Sequence, residues 1–224
     1  MPPIIYEDDD ILVINKPAGV PVHSDEHYNK GTILDDVRKQ YPEAELAHRL
    51  DKDTSGVLLI AKNKKVHEFL KKQFQERTIK KTYIALVVGR MTQSEGVINL
   101  PITRSKKDFR KRVATPRPDE KAREAITEYE VLKRYEEFTL LKVFPHTGRT
   151  HQIRSHLSSL GTPVTCDNLY GGKRFVCPEG LTHHFLHAEE LEFVVPGGKT
   201  VHASAPLPAD LHTVLLHLAI LPST

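Results

Sequence analysis

The densest run of reactive side chains in the chain is His48-Arg49-Leu50-Asp51-Lys52-Asp53-Thr54-Ser55-Gly56. Two carboxylates lie beside Arg49 and Lys52, next to a turn-forming Thr-Ser-Gly, and the apolar run Val57-Leu58-Leu59-Ile60-Ala61 follows at once. A strand that starts directly after a polar loop holds that loop rigidly, and rigid loops at strand ends are where catalytic side chains tend to sit. Positive charge nearby favours the ionised form of a carboxylate. An aspartate here is therefore expected to stay charged at neutral pH and to serve as a nucleophile, with the surrounding bases holding a polyanion against it.

Two more polar clusters open predicted elements. Lys80-Lys81-Thr82-Tyr83 starts a strand. Thr147-Gly148-Arg149-Thr150-His151-Gln152-Ile153-Arg154 turns into a helix. A helix start with Thr150 as cap explains part of the third cluster. The density of donors (Arg149, His151, Gln152, Arg154) points further, to an anion-ready helix start.

The elements that must position these groups read as follows. Ile4 to Tyr6 and Ile11 to Ile14 are short strands around an acidic turn, the second stopped by Lys16-Pro17-Ala18-Gly19. Thr32 to Tyr41 is a helix, capped by Thr32 with Asp35 three residues on and ended by Pro42. Gly56 to Ala61 is a buried strand. Lys64 to Arg77 is an amphipathic helix with Val66, Phe69, Leu70 and Phe74 inward. Thr82 to Val88 is a strand, Thr127 to Leu132 and Thr139 to Phe144 form a hairpin, and His151 to Leu160 is a helix closed by Gly161. Asp210 to Leu221 is a last helix between Pro208 and Pro222. Strands and helices mix without βαβ alternation, which predicts an α+β fold around a mostly antiparallel sheet.

With 224 residues, 39% of them hydrophobic and 27% charged, the chain reads as an ordinary soluble globular protein. No apolar run approaches bilayer length and the N-terminus lacks the layout of a signal peptide, so the expected location is cytoplasmic. Cys166 and Cys177, with His183 and His184 nearby, fit no zinc spacing. They are read as two thiols in a reducing compartment and two incidental histidines, with no metal expected. The net charge of +3 matters less than its distribution. Lysines and Arg77 crowd residues 62 to 81, as a solvated helix face would. Arg104, Lys106, Lys107, Arg110, Lys111, Arg112 and Arg117 form a second cluster without clear period, read as an exposed basic loop that contacts phosphates.

Taken together, the motifs resemble one family. His48 to Gly56 resembles the signature of the RluA family of RNA pseudouridine synthases. In chain order, Val13-Ile14-Asn15-Lys16-Pro17-Ala18-Gly19, Lys81-Thr82-Tyr83, Thr147 to Arg154 with His156, Asp167-Asn168-Leu169-Tyr170-Gly171-Gly172 and Leu186-His187-Ala188 resemble its other landmarks. The resemblance spans about residues 4 to 212. It implies a mixed, mostly antiparallel sheet flanked by helices, in two lobes around a catalytic cleft. It implies isomerisation of chosen uridines in structured ribosomal or transfer RNA to pseudouridine: the bond from ribose to N1 breaks, uracil turns, and C5 joins the ribose. No cofactor is implied, since atoms are rearranged and none added.

Residue by residue, the resemblance makes Asp51 the catalytic aspartate, attacking ribose C1′ or helping remove the 2′ proton to give a glycal. Arg154 is its basic partner, able to hold a carboxylate in two parallel hydrogen bonds. Tyr83 stacks on uracil or assists loss of the C5 proton; by its residues alone it reads as a core tyrosine. Leu186 lines the base pocket. Arg49 fills the gap left when the target nucleotide is flipped out of its stack. Asp53 is read as a turn residue. Two departures stand out. Many relatives carry a small RNA-binding domain before the catalytic one, whereas residues 1–224 read as a single catalytic domain, monomeric and without an obligate protein partner. Cys166 stands where the family usually has Gly.

Two other readings compete. A catalytically silent RNA-binding protein or RNA chaperone would not need Asp51, Tyr83 and Arg154 together. A carboxylate glycosidase needs two cooperating acids, and Asp53 is too near Asp51 in the chain to face one substrate from the opposite side.

Overall fold

A computed structural model describes residues 1–24 and 31–220. In chain order the first elements are strands β1 (Ile4–Glu7) and β2 (Ile11–Lys16), helix α1 (Ile33–Arg38), strands β3 (Glu45–Leu46) and β4 (Ser55–Ala61), and helix α2 (Lys64–Gln75). Strands β5 (Lys80–Val88), β6 (Glu95–Asn99), β7 (Ile102–Arg104), β8 (Arg112–Ala114), β9 (Ile126–Arg134) and β10 (Phe138–Pro145) follow. Helix α3 (Gln152–Ser159), a 3₁₀ turn at Gly172–Arg174, strands β11 (Leu186–Val194) and β12 (Thr200–Ser204), and helix α4 (Ala209–Ile220) complete the set. The architecture is α+β with mostly antiparallel pairing, as expected. Contacts divide it into two compact units: Met1–Lys81 with Ala188–Pro206, and Thr82–His187 with Leu207–Thr224.

In the first unit β2 pairs antiparallel with β1 and β4, β3 adds to β4, and β12 pairs with β11. Every residue of β4 is buried, because both faces of that strand are covered. Val57, Leu59 and Ala61 pack with Val66 and Leu70 of α2 and with Leu191 and Phe193 of β11. Fully burying a leucine such as Leu70 contributes about 1.5–3 kcal/mol. Asn63 caps α2 by accepting the Val66 amide. Phe69, expected inward, is exposed, and Phe74 is only partly buried. The sheet is met by a narrower stripe of the helix than the apolar pattern suggested. Thr32 and Asp35 form the expected capping box on α1.

In the second unit β5 pairs with β10, β10 with β9, and β9 with β6, all antiparallel. The period of two along β5 sorts its side chains. Ala85 and Val87 join Leu141, Val143, Ile153 and Leu157 in one core, with Tyr83 packed at its margin. Ile84, Leu86 and Val88 join Leu211 and Val214 of α4 in another. Helix α3 has six consecutive buried residues, Gln152 to Leu157, so it is an interior helix rather than an amphipathic surface one. Leu221 and Pro222, expected to close α4, lie outside the described residues.

The basic segment is a short β7–β8 hairpin rather than a plain loop. Strands of three residues are too brief to show a period. Cys166 and Cys177, read from sequence as separate thiols, form a disulfide. Cys166 adopts a left-handed backbone with φ of 59°, the conformation that the family's usual Gly accepts most easily. The turn made there brings residue 177 back to it, and linear spacing does not encode such a turn.

Candidate active site

Asp51 lies on the loop between β3 and β4, in the first unit, and its backbone surroundings are tied at several points. Ala47 donates its amide to Leu59 O of β4 at 3.2 Å. His48 Nε2 accepts the Leu59 amide at 3.0 Å, so the ring is neutral there and carries its proton on Nδ1. Its ring stacks on Phe74 of α2, 5.1 Å between centroids. Burial, reinforced by the Lys81 charge, pushes His48 down to about 3. This histidine is a structural strut.

The other side of the loop is held by Lys16, at the end of β2 and fully buried. Its Nζ donates to Pro17 O at 2.7 Å and to Val20 O and Lys52 O at 2.9 Å each. Gly19, at φ 83°, adds its own amide to Lys52 O at 3.0 Å. Three carbonyl acceptors match the three donors of an ammonium group. Burial pushes Lys16 down to about 7, while Asp53 and then Asp51 act to raise it. The carbonyl that follows Asp51 is thus fixed from two directions, and Thr54 closes the turn by donating its amide to Asp51 O at 3.1 Å. The apolar run that ends in a lysine before Pro-Ala-Gly was the signal for this strut. No role was assigned to Lys16 from the sequence, because only the fold shows which carbonyls surround it.

Gly56, the second residue of β4, has φ of 113°. A Cβ there would lie 2.1 Å from Ala188 O of β11. The glycine in the motif therefore serves close backbone contact as well as the turn. Arg49 is exposed on the same loop, and Asp51 and Asp53 are both half-buried.

Tyr83, Arg154 and Leu186 belong to the second unit. Tyr83 and Leu186 share the core beneath α3, Leu186 buried and Tyr83 partly so. Arg154 is buried on α3. It forks Asp167, Nε to Oδ2 at 2.6 Å and Nη2 to Oδ1 at 2.9 Å. Asp167 Oδ1 also accepts the Leu169 and Tyr170 amides at 3.0 Å each. Burial pushes Asp167 up, but the hydrogen bonds and charge of Arg154, helped by His184 and the Tyr170 amide, outweigh it and hold the carboxyl below its usual range. The Tyr170 ring lies 5.0 Å from the Arg154 guanidinium, a cation–π contact. Sequence reading placed Asp167 and Tyr170 in a landmark without giving them this task of holding Arg154.

The start of α3 differs from the expected anion site. His151, not Thr150, occupies the cap position, at φ 55° and without a side-chain cap bond. The donors point inward. Gln152 Nε2 bonds Ile126 O and Thr127 Oγ1, and its Oε1 accepts from Thr147 Oγ1 and the Arg149 amide. Arg149 Nε bonds Glu124 O at 3.0 Å, and His151 Nδ1 lies 3.0 Å from Tyr170 Oη. His156 donates from Nε2 to Leu100 O, so its Nδ1 accepts from Thr127 Oγ1. This motif staples α3 to its sheet, and the polar density serves to hold Arg154 in place.

Comparison with known proteins decides what these loops and helices belong to. The model of a family described as RNA pseudouridylate synthase matches residues 10–159. The chain belongs to the RNA pseudouridylate synthase family. The ribosomal large subunit pseudouridine synthase C of Vibrio parahaemolyticus is 40% identical over 221 residues, covering 96% of this chain and 69% of that protein. An RNA pseudouridine synthase of Aquifex aeolicus is 46% identical over 189 residues, 80% of this chain and 58% of that one. Among solved structures, human RNA pseudouridylate synthase domain containing 4 superposes with a TM-score of 0.79 at 28% identity, covering 97% of this chain and 93% of the human one. The protein is accordingly an RNA pseudouridine synthase, an isomerase, and its fold is that of the family's domains.

Proposed function

We propose that the protein converts one or more uridines of large-subunit ribosomal RNA to pseudouridine, with Asp51 as the catalytic group. The observation that carries the assignment is the loop itself. Lys16, Gly19, His48 and Thr54 fix the backbone on both sides of Asp51, the preorganisation a covalent or acid–base catalyst needs. The names of the bacterial relatives favour ribosomal over transfer RNA.

In this reading the Asp51 carboxylate attacks ribose C1′ or takes the 2′ proton, and the C1′–N1 bond breaks. Uracil turns within its pocket, and its C5 bonds to C1′ as the Asp51–C1′ bond breaks and frees the carboxylate or, on the glycal path, as Asp51 returns the proton to C2′. The C5 proton then leaves to a base and N1 ends protonated, so the product is an isomer of the substrate. Tyr83 contacts the uracil ring and Leu186 lines its pocket. Arg154, aimed by Asp167, is the basic partner of Asp51, and Arg49 occupies the stack from which the target base is flipped, offsetting part of a cost of a few kcal/mol. Among the described residues no helix is long and apolar enough to cross a membrane. We take the enzyme to act as a cytoplasmic monomer.

Large-subunit RNA carrying tritium at uridine C5 tests the assignment. Wild-type protein is expected to release the label to water, and Asp51→Asn, with an unchanged circular dichroism spectrum, to release none. Undiminished release by Asp51→Asn would overturn the role of that residue.

A further inference from the structure

The tip of the β7–β8 hairpin is built to present one aromatic ring. Phe109 is 75% exposed among cations, and the turn that carries it is closely bonded. Ser105 Oγ accepts the Lys107 and Asp108 amides at 3.2 Å each. Asp108 Oδ1 accepts the Arg110 amide at 3.1 Å, and its carboxylate is forked by the Arg110 guanidinium. Lys111 N donates to Asp108 O, and Ser105 N to Lys111 O, which closes the turn. The Arg110 charge is thereby balanced within the turn, and Lys106, Lys107 and Lys111 supply the net positive charge around the ring.

The hairpin is also fixed at its base. The Arg112 amide donates to Tyr170 Oη at 2.7 Å, the Ala114 amide to Ser155 Oγ at 2.9 Å, and Ser155 Oγ to Arg112 O at 3.1 Å. Ser155 neighbours Arg154 on α3, and Tyr170 is the ring that covers the Arg154 guanidinium. The hairpin tip and Arg154 therefore rest on one scaffold within the second unit.

A single exposed apolar side chain needs no explanation by itself. An aromatic ring held out by a rigid, positively charged turn is different. It loses little conformational freedom when a planar group covers it, and the surrounding lysines suit a phosphate backbone. We propose that Phe109 stacks on an unpaired nucleobase of the substrate RNA, with Lys106, Lys107 and Lys111 on the flanking phosphates, so that the hairpin selects looped over paired RNA. The inference rests on RNA being the substrate and adds a contact that discriminates among RNA shapes. Every base has a π face, so the contact tolerates sequence and a generic probe reports it.

The test compares binding of an RNA stem-loop with that of a duplex of the same stem, by fluorescence anisotropy at fixed salt. The stem-loop carries 2-aminopurine in its loop to report stacking. Wild type is expected to prefer the stem-loop and to quench the 2-aminopurine. Phe109→Ala should weaken stem-loop binding by about 5- to 150-fold and leave duplex binding unchanged. Phe109→Tyr keeps a π face and should retain both the preference and the quenching, whereas Phe109→Leu should behave as alanine does. In turnover, Phe109→Ala should raise KM with little change in kcat. Stem-loop binding by Phe109→Ala equal to wild type would overturn the proposal. So would a leucine variant as good as phenylalanine, or a substitution that alters only self-association in sedimentation. Binding is read without turnover, so this outcome is separate from that of the Asp51→Asn test.

Discussion

At the residue scale, the loop that carries Asp51 is held by side chains that act as struts. His48 is the clearest case, since its ring accepts the Leu59 amide only while neutral. The unfolded chain takes up this proton near pH 6.5, and the folded protein only near 3. Between these values the unfolded state holds more protons. The His48 contribution is therefore complete above pH 6.5 and is lost as pH falls toward 3, by at most about 1.4 kcal/mol per pH unit. Urea unfolding across that window checks this. His48→Gln keeps an acceptor but cannot titrate, and should flatten the slope; an unchanged slope would assign the acid sensitivity to other groups. The Arg154–Asp167 pair belongs to the same scale. A buried fork of this kind fixes the orientation of a guanidinium more than it adds stability.

At the element scale, β4 anchors the loop of Asp51 and α3 carries Arg154. Gly56 lets β4 run against β11, where any side chain would meet Ala188 O at a φ that favours glycine. Gly56→Ala is expected to destabilise the fold on the order of 3–5 kcal/mol, measured by denaturant midpoint, and to lower activity through loss of the folded state. A variant of wild-type stability would show that β11 can yield at this point. Helix α3 makes the complementary case. Gln152 and His156 tie it to Ile126, Thr127 and Leu100, so it is anchored by polar side chains that a surface helix would turn to water.

At the scale of the whole molecule, a net charge of +3 is small, yet the cations are gathered. Binding to a polyanion depends on local phosphate contacts rather than on the total. RNA affinity should fall linearly with salt on logarithmic axes. Replacing Lys106 and Lys107 by alanine should make that slope shallower by about 0.7 to 0.9 for each phosphate that is no longer neutralised. Filter binding over a salt series measures it. A slope that does not change would remove the hairpin from the RNA-binding surface.

The sequence by itself determined the elements with strong periods and the family. The β-forming residues of β5, the apolar run of β4, the capping box of α1 and the alternation in the β9–β10 hairpin are local patterns written in neighbouring residues, and the ordered motifs identified the reaction class. The tertiary structure alone decided what each polar residue is bonded to. Lys16 proved a strut for the Asp51 loop, Gln152 and His156 became internal staples, and Asp167 emerged as the anchor of Arg154. It also joined Cys166 to Cys177, turned Phe69 outward and raised a hairpin under Phe109. These outcomes depend on which distant backbone carbonyls, amides and faces come near a side chain. Local spacing carries no information about neighbours that the chain brings in from tens of residues away.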